Sequence, residues 1–384
     1  MPPLRVTFVQ PALPKYRVPV FRELAGRPGI DFRLYYGKDR GITNVEPDGF
    51  RGEYRKMHQW GPGRQDVRWQ QAQLTAAGDP EVDVLCLSWG TRYLSLPLAM
   101  RRARRRGLPV ILWGHGYSKA ESRLKRMLRD QIGGLATALL FYDEATAQRA
   151  VDDGFRPEQV FAAPNAIDQT TIGAARDAWL ADDPRLAKFR EANHLGGKRL
   201  LLYISRMTPE NRLDLLVEAV AKLAPNRPEL LVALVGNGAA EKAKLEALAE
   251  ERGVADRLRF LGAIYDEEQL APWCLASDLF VYPANIGLSL LHAFGYGLPV
   301  ITSSNLAAQN PEIVALEDGK NGLLYEADSA AALAESIDRL LADDTLRAQM
   351  GAAARQTVEQ RFNVPTMVDG MVSAIEYCHA QRKG

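Results

Sequence analysis

The architecture of this chain can be worked out from the stretch Val281-Tyr-Pro-Ala-Asn-Ile-Gly-Leu-Ser-Leu-Leu-His-Ala-Phe-Gly-Tyr-Gly-Leu-Pro-Val300. Its pattern predicts the end of one strand, a short polar turn, a helix over residues 287–294 and the start of the next strand. Asn285 or Ser289 can cap that helix through a side-chain oxygen. The N-terminus of a helix placed beyond a strand offers free N–H groups and a positive dipole end to a phosphate. We therefore expect an anion-binding turn, with Asn285 and His292 close to it.

Two series of strands and helices extend outward from this stretch. Short apolar runs that alternate with helical patterns predict parallel sheets made of βαβ units, and continuous apolar runs predict strands covered on both faces. In the first series we expect strands at 4–10, 31–36, 82–88, 109–113, 138–142 and 160–163, with helices near 17–25, 68–77, 94–106, 120–132 and 144–153. In the second we expect strands at 198–205, 230–235, 258–261, 278–282, 300–303 and 322–325, with helices near 209–223, 239–252, 267–276, 287–294, 330–342 and 344–360.

The two series predict an α/β protein of two doubly wound, Rossmann-like domains, and a chain of 384 residues is long enough for two cores. We place the first domain at residues 1–168 and the second at 169–360, with the polar stretch 169–197 as the hinge. Such domains bind ligands beyond the carboxyl ends of their strands, so two that face each other would form a cleft there.

Composition limits the class of protein. The hydrophobic content of 47% and the charged content of 25% are typical of a soluble globular protein. Cys86, Cys274 and Cys378 are isolated, which argues against a disulfide framework or a zinc site and fits a reducing compartment. No apolar run approaches the roughly 18 residues of a membrane span, and the N-terminus lacks the core of a signal peptide. We expect a cytoplasmic protein.

The charge is unevenly distributed along the chain. Residues 1–168 hold 26 Lys and Arg against 18 Asp and Glu, a net charge of +8, whereas the remainder has 22 against 29, a net charge of −7. The first half therefore suits an anionic partner. The basic run Arg101–Arg106 and the cations that follow it (Lys119, Arg123, Lys125, Arg126 and Arg129) form either a solvated face or a patch for anionic membrane headgroups or a lipid diphosphate. Nucleic acid is disfavoured because no aromatic stacking motif accompanies the charges.

Candidate ligand contacts follow several strands of the second series. Arg206 comes just after a predicted strand, with Thr208 as the cap of the next helix and Pro209 in its first turn. Gly236 lies in a Val-Gly-Asn-Gly turn, where glycine lets the backbone approach a ligand closely. Gly262 ends a further strand at the same edge of the sheet. A dehydrogenase is excluded because no G-x-G-x-x-G follows the first strand.

The order of these motifs resembles that of the GT-B glycosyltransferases of family 4 (retaining, glycosyltransferase group 1), in a branch with a degenerate Glu-x7-Glu signature. In the second series it runs through Ser205-Arg-Met-Thr-Pro-Glu210, Val235-Gly-Asn-Gly238, Phe260-Leu-Gly262, Asp278-Leu-Phe-Val-Tyr-Pro283, the stretch quoted above, Pro311-Glu-Ile-Val314 and Asn321-Gly-Leu-Leu324. The first series adds Pro14–Leu24, Trp113-Gly-His-Gly116 and Val160–Asp168.

The resemblance implies a retaining transfer of a sugar from a UDP- or GDP-sugar to a glycolipid or polysaccharide precursor, with neither a metal nor a cofactor. It also implies a last helix, within 361–384, that crosses back to the first domain. The residues that it places at the donor are Arg206, Asn211, Arg212, Gly236, Gly262, Asn285, Ile286, Gly287, Leu288, Ser289 and His292. It gives His115 and Glu312 catalytic positions and assigns Tyr16 and Arg17 to the acceptor.

Three positions depart from the family pattern. The two glutamates of the signature are Ala284 and His292, and a histidine can still hydrogen-bond a ribose hydroxyl. Because Ala284 offers no polar group, Asn285 or the backbone amides of residues 286–289 would have to take over. Asn211 stands at the position of a phosphate-binding lysine, and Arg212 restores that charge if its side chain turns toward the ligand. These departures leave two hypotheses, an active transferase or a nucleotide-sugar-binding protein without turnover.

Overall fold

The computed structural model describes residues 2–61, 66–117 and 123–383, without the side chains of residues 123–125, 183 and 383. The chain separates into two compact units. Unit 1 combines the residues up to Ile167 with those from Val364 onward, and unit 2 is Asp168–Asn363. Each unit holds one parallel sheet with helices packed against it, so the α/β class predicted from the sequence is confirmed.

Unit 1 is built on a seven-stranded sheet with the order β3-β2-β1-β6-β7-β8-β9. All neighbouring strands in it are parallel. Its strands are β1 (Leu4–Gln10), β2 (Ile30–Tyr36), β3 (Arg51–Tyr54), β6 (Val84–Ser88), β7 (Val110–Trp113), β8 (Ala138–Phe141) and β9 (Val160–Ala162), and β4 (Met57–Trp60) and β5 (Val67–Gln70) form a separate antiparallel hairpin. Its helices are α1 (Val18–Ala25), α2 (Gln71–Gly78), α3 (Leu96–Arg105), α4 (Arg123–Gly133), α5 (Glu144–Asp152) and α14 (Val364–Lys383).

The central strands of unit 1 are buried throughout, as their unbroken apolar sequences predict. One core lies between the sheet and helices α1 and α14, and the other lies between the sheet and helices α2 and α3. From α14 the first core takes residues spaced three or four apart, including Met367, Met371 and Ile375. A Cβ on Gly370 would lie 2.2 Å from the Ala162 carbonyl oxygen, so glycine permits the close approach of α14 to β9.

The strands β3, β4 and β5 were not predicted, and the helix expected near residues 68–77 begins later, at Gln71, after β5. Strand β3 has the sequence Arg-Gly-Glu-Tyr and lies at the sheet edge. Its residues are mostly polar and exposed, so they lack the apolar pattern from which a strand is predicted. In β5 the buried residues are Arg68 and Gln70, and the Arg68 guanidinium pairs with Asp39 and Asp66. A strand whose buried residues are both polar gives no hydrophobic signal.

Unit 2 is built on a six-stranded parallel sheet with the order β12-β11-β10-β13-β14-β15. Its strands are β10 (Arg199–Ile204), β11 (Leu230–Val235), β12 (Leu258–Gly262), β13 (Leu279–Val281), β14 (Val300–Ser303) and β15 (Gly322–Tyr325). Its helices are α6 (Gln169–Leu180), α7 (Asp183–Ala192), α8 (Leu213–Leu223), α9 (Ala239–Glu251), α10 (Glu267–Ala276), α11 (Ser289–Gly295), α12 (Ala330–Ala342) and α13 (Asp344–Gln360).

The stretch 169–197, predicted as a hinge, forms helices α6 and α7 and belongs to unit 2. The side chains of Asp168 and Asp182 cap the two helices by accepting backbone N–H groups. The Trp179 indole N–H then donates to the Glu268 carbonyl at 3.1 Å, and Arg190 donates to the Ala276 carbonyl at 2.9 Å. These two hydrogen bonds help to hold α6 and α7 against α10 and its end, so the stretch needs few apolar residues.

Candidate functional site

Arg206 lies two residues beyond the end of β10, at the carboxyl edge of the unit 2 sheet, and its side chain is exposed. Within the described part of the chain no carboxylate pairs with its guanidinium. The Arg206 carbonyl, in contrast, is held by two donors, the Tyr203 hydroxyl at 3.0 Å and the Asn211 amide at 2.7 Å. The backbone is thus fixed while the charged end of the side chain stays available.

Asn211 is buried, with 3% of its surface exposed, and its side-chain amide is used within the protein. Its Nδ2 donates to the Arg206 carbonyl and to the Tyr203 hydroxyl, both at 2.7 Å, and its Oδ1 accepts from Asn285 Nδ2 at 3.1 Å. The Asn211 carbonyl also accepts the N–H of Ala284 at 3.2 Å. The residue that replaces the family's lysine therefore ties the Arg206 loop to the turn after β13.

Arg212 does not supply the charge that the family's lysine would bring. Its backbone is in the left-handed region, with φ 53°, and its guanidinium is bound by the carboxylates of Asp214 and Asp328. The hydrogen bond to Asp214 is the main cause that raises the pKa of Arg212. With two acidic partners the side chain is neutralised, so it adds little to the attraction of a diphosphate.

Two glycines let the turn after β11 approach the Arg206 loop. A Cβ on Gly236, whose φ is 148°, would lie 1.7 Å from the Ser205 carbonyl oxygen. A Cβ on Gly238 would lie 2.3 Å from the Met207 carbonyl oxygen. The N–H of Gly236 donates to the Gly262 carbonyl at 2.8 Å, which joins this turn to the end of β12. In the structure these glycines permit contact between loops, and the predicted close approach to a ligand stays a prediction.

The turn after β13 offers three open amides. Asn285 has a φ of 62°, and the N–H of Ile286 donates to the buried Gln309 side chain at 2.7 Å, so this amide is not presented to a ligand. The N–H groups of the next three residues (Gly287, Leu288 and Ser289) have no acceptor within the described ranges. Helix α11 starts with Leu288 as its N-cap and without a side-chain cap, so neither Asn285 nor Ser289 caps it. The predicted cap was wrong, and its absence leaves the amides open.

Glu312 is a buried carboxylate beside this turn, with 5% of its surface exposed. It lies in a 3-10 helix over Pro311–Ala315. A Cβ on Gly287 would be 3.6 Å from Glu312 Oε2 and 3.4 Å from Asn310 Nδ2, so both side chains face Gly287. Asn310 Nδ2 in turn donates to the Asn285 carbonyl at 2.9 Å. Glu312 therefore lies next to the open amides.

His292 is held by a carboxylate that the sequence did not indicate. Its Nε2 lies 2.9 Å from Glu267 Oε1, and the Tyr296 hydroxyl donates to the same oxygen at 2.6 Å. His292 Nδ1 is buried and has no hydrogen-bond partner among the described residues. Burial, followed by the Glu267 hydrogen bond, raises the pKa of Tyr296, so its hydroxyl remains a donor. In this arrangement His292 and Tyr296 both hold the same oxygen of the Glu267 carboxylate.

Sequence reasoning missed Glu267, Asn310 and Gln309. Glu267 opens the helix after Phe260-Leu-Gly262, and Asn310 directly precedes Pro311-Glu312, so both stand next to motifs that were recognised. Their contacts depend on pairing between helices or loops about 25 residues apart, which no local pattern encodes.

The predicted unit 1 residues meet at the ends of β7 and β8. His115 is exposed, and its ring centre lies 4.7 Å from that of Tyr142. Tyr16 and Arg17 lie in the 3-10 turn before α1, with Tyr16 exposed and Arg17 buried. The Arg17 guanidinium carbon is 5.2 Å from the ring centre of Tyr142, so Arg17 and His115 contact the same aromatic side chain.

The basic run divides into two sets. Arg106 donates to the Ala77 carbonyl at 3.0 Å and Arg102 packs over Gly78, so both brace the end of α2. Arg101, Arg104 and Arg105 are exposed and have no acidic partner within the described part of the chain. Arg126 and Arg129 on α4 pair with Asp153 and Asp130. Lys119 lies outside the described residues, as do the side chains of Arg123 and Lys125.

Within the residues that the structure describes, no cluster of His, Cys, Asp and Glu could hold a metal, and no helix is long and apolar enough to span a membrane.

Three comparisons relate this geometry to known proteins. Residues 184–357 match the family model "Glycosyl transferases group 1". Over 271 residues the chain is 28% identical to the GDP-mannose-dependent alpha-(1-6)-phosphatidylinositol monomannoside mannosyltransferase of Mycolicibacterium smegmatis, covering 67% of each protein. Over 169 residues it is 35% identical to the D-inositol 3-phosphate glycosyltransferase of Streptomyces avermitilis, covering 41% of this chain and 35% of that protein.

The fold is shared with a solved Anabaena protein, HepE in complex with UDP. The TM-score is 0.74 at 17% identity, and the match covers 97% of this chain and 100% of the other. This likeness confirms the expected GT-B fold for the whole chain.

Proposed function

We propose that the chain is a glycosyltransferase that moves a sugar from a nucleoside diphosphate donor, with retention, to a glycolipid or polysaccharide precursor, since residues 184–357 match a group 1 glycosyltransferase domain and the chain resembles a mannosyltransferase. The proposal assigns the donor to unit 2 and the acceptor to unit 1. The observation that supports it most is the Arg206 guanidinium, which pairs with no described carboxylate and lies on a loop that Asn211 ties to the turn of residues 287–289.

The diphosphate is the group that this set of donors suits. Guanidinium forks and backbone N–H groups bind phosphate oxygens by charge-assisted hydrogen bonds. When the bond between the sugar and the diphosphate breaks, negative charge grows on the leaving phosphate, and donors already in place stabilise it without rearrangement. Arg206 supplies the full charge, and the amides of Gly287, Leu288 and Ser289 supply fixed dipoles.

The sugar and the ribose would meet carboxylates. Glu312, beside Gly287, accepts sugar hydroxyls, and Glu267, oriented by His292 and Tyr296, accepts from the ribose. His115 lines the acceptor side in unit 1 and donates to or accepts from a substrate hydroxyl. Retention and independence from metal stay predictions, and EDTA treatment followed by a transfer assay tests the second.

The acceptor class is proposed from the relatives, since the mannosyltransferase acts on a phosphatidylinositol monomannoside by its name. A lipid-linked acceptor would require the protein to act at a membrane surface. The α3 surface (Leu94, Leu98, Arg101 and Arg105) suits peripheral contact with anionic lipid at the inner face of the cell membrane. Leu98, Arg101 and Arg105 are spaced 3 and 4 apart on α3, and Leu94 lies in the turn just before the helix. Both leucines are about half exposed, and both arginines lack an acidic partner among the described residues.

Thermal unfolding with a panel of UDP, GDP, ADP and TDP sugars tests the proposal. A donor should raise the unfolding temperature by mass action, and no response to any of them would contradict donor binding. The alternative, a binding protein without turnover, is separated by following release of the nucleoside diphosphate from the stabilising donor. Binding without release in the presence of membrane lipid extract would favour the alternative.

A further inference from the structure

Arg17 is a buried cation without an acidic partner in the described part of the chain. Only 7% of its surface is exposed, and its one hydrogen bond to a described residue runs from Nη1 to the Met367 sulfur at 3.4 Å. A thioether is a weak acceptor, so this contact leaves most of the donor capacity of the guanidinium unused.

Three aromatic rings surround the guanidinium. Its carbon lies 5.0 Å from the ring centre of Trp113 and 5.2 Å from those of Tyr16 and Tyr142. Ring faces attract a cation and make its burial tolerable, but they do not cancel its charge. The Trp113 indole N–H is also buried without an acceptor among the described residues. The cluster therefore holds donors and a positive charge, and it lacks an anion.

The other buried arginines of unit 1 show that this arrangement is not the way this chain usually buries a guanidinium. Arg68 pairs with Asp39 and Asp66, and Arg129 pairs with Asp130. Where a buried arginine serves the fold, a carboxylate thus accompanies it. Arg17 differs because its counter-ion is missing from the residues around it.

The position of Arg17 suits a ligand. Trp113 ends β7, Tyr142 follows β8 and the Lys15–Arg17 turn follows β1, so the cluster lies beyond the carboxyl ends of parallel strands, where such sheets bind ligands. Tyr16 and His115 at its border are exposed, and His115 contacts Tyr142. A ligand that reaches these two side chains arrives next to Arg17.

We propose that Arg17 is the receptor for a phosphate group carried by the acceptor, which makes the acceptor of this transferase a phosphate ester. This inference rests on the proposed function and specifies its acceptor. A phosphate supplies the missing counter-ion, and its oxygens match the planar fork of the guanidinium. The phosphate belongs either to a soluble sugar phosphate or to a phospholipid, and the chemistry at Arg17 is the same for both.

The experiment measures phosphate binding to the full chain carrying Arg206→Ala, which removes the proposed diphosphate contact. Inorganic phosphate is titrated at constant ionic strength. Calorimetry is the main readout, and total tryptophan fluorescence, to which Trp113 beside Arg17 contributes, is the other. We expect saturable binding that weakens at least tenfold with Arg17→Met and partly returns with Arg17→Lys. Arg22→Met is the matched control, because Arg22 lies at the surface of α1, directly after the turn that carries Arg17, and pairs with Asp48.

The source of the phosphate is resolved by two further titrations. Tighter binding of glucose 1-phosphate than of inorganic phosphate identifies a soluble sugar phosphate, and tighter binding of dihexanoyl phosphatidic acid identifies a phospholipid. Acetate that binds as tightly as phosphate would overturn the phosphate assignment.

The inference is overturned if phosphate does not bind, or if Arg17→Met lowers the unfolding temperature and leaves phosphate affinity unchanged. Arg17 would then be an internal brace between the first turn and α14. If Arg17→Met unfolds the chain, the Arg17→Lys and His115→Ala variants carry the test, and unchanged phosphate affinity in both overturns it. Nucleoside diphosphate binding by the chain with Arg206 intact is measured in parallel, so failure of the donor site is seen separately.

Discussion

The side-chain amide of Asn285 donates to that of Asn211 at 3.1 Å, across 74 residues of sequence. This bond joins the loop that carries Arg206 to the turn that carries the open amides. Asn310 extends the connection by donating to the Asn285 carbonyl. Three asparagines thus set the relative position of the charged and the neutral donors to phosphate.

Replacement of Asn211 should damage both stability and binding. Asn211→Ala leaves the Arg206 carbonyl and the Asn285 amide with fewer partners, and we expect a loss of about 1–3 kcal/mol in the free energy of unfolding. Nucleoside diphosphate affinity should fall as well, because two loops lose their common anchor. Denaturant unfolding and calorimetry measure the two effects, and Asn305→Ala, at an exposed site, is the control.

The Asn211→Lys variant separates two interpretations of this position. If charge were the missing element, the family's lysine would tighten nucleoside diphosphate binding. The structure predicts the reverse, since a lysine has no oxygen to accept the Asn285 amide and would place an ammonium in a buried site. Tighter binding by this variant would contradict the role that we give to the asparagine.

Replacement of Arg206 and replacement of Arg212 should have very different effects on nucleoside diphosphate affinity, although the two residues are only six positions apart. Arg206→Ala removes a charge-assisted contact worth roughly 1.5–3 kcal/mol, so nucleoside diphosphate affinity should drop about 10- to 150-fold. Arg212→Ala removes a side chain that Asp214 and Asp328 already neutralise, so affinity should change about twofold or less. Calorimetric titration decides the matter, and equal losses in the two variants would sink the distinction.

The Glu267 carboxylate should contribute to donor affinity, whereas its neighbour should not. Glu267→Gln keeps an oxygen for His292 and Tyr296 but removes the charge, and we expect nucleoside diphosphate binding to weaken by about 1–2 kcal/mol. Glu268→Gln is the matched control, since Glu268 lies in the same helical turn and faces Arg185. Glu267→Gln should weaken the binding of 2′-deoxynucleoside diphosphates less, because these ligands lack one ribose hydroxyl.

The α3 surface should bind vesicles that contain anionic lipid. Arg101→Gln with Arg105→Gln should reduce the partition coefficient by roughly 30-fold, because each basic residue near an anionic surface contributes about 1 kcal/mol. Lys38→Gln with Lys56→Gln removes the same charge from exposed sites elsewhere in unit 1 and serves as the control. Binding that ignores both salt and anionic lipid would leave α3 as a solvated face.

Acid should weaken the contact between Asp83 and Arg5. The Arg5 hydrogen bond holds the pKa of the Asp83 carboxyl well below its usual range, so its stabilising effect is complete above the unfolded-state value of about 4 and is lost as the pH falls below it. The wild-type protein should therefore unfold at a higher temperature than Asp83→Asn at pH 7. This gap between the two unfolding temperatures should narrow toward pH 2. Asp256→Asn, exposed in unit 2, should show no such gap.

The sequence was most informative where residues are apolar. The runs at Val84–Ser88 and Leu230–Val235 became central strands because their side chains have to be covered on both faces. Strand β3 and the β4–β5 hairpin escaped prediction because polar pairing, such as that of Arg68 with Asp39, takes the place of an apolar pattern.

In the candidate site the sequence identified positions better than it identified contacts. Arg206 and the turn at Gly287 follow strands β10 and β13, as the sequence pattern predicts. The direction of each side chain depends on partners distant in sequence. Glu267, for example, is hydrogen-bonded to His292, and the Gln309 side chain accepts the Ile286 N–H. The presence of Asn211 in place of the family's lysine is therefore explained only by the residues that its side chain contacts.

Helix α14 has a consequence for how the protein is made. Unit 1 cannot complete its core until the ribosome has passed the whole of Asp168–Asn363, which at 5–20 residues per second takes roughly 10–40 s. During that interval the surface that later receives Met367, Met371 and Ile375 is open to water and to chaperones. Unit 2 can fold during the same wait, so the nascent chain finishes its second unit before its first.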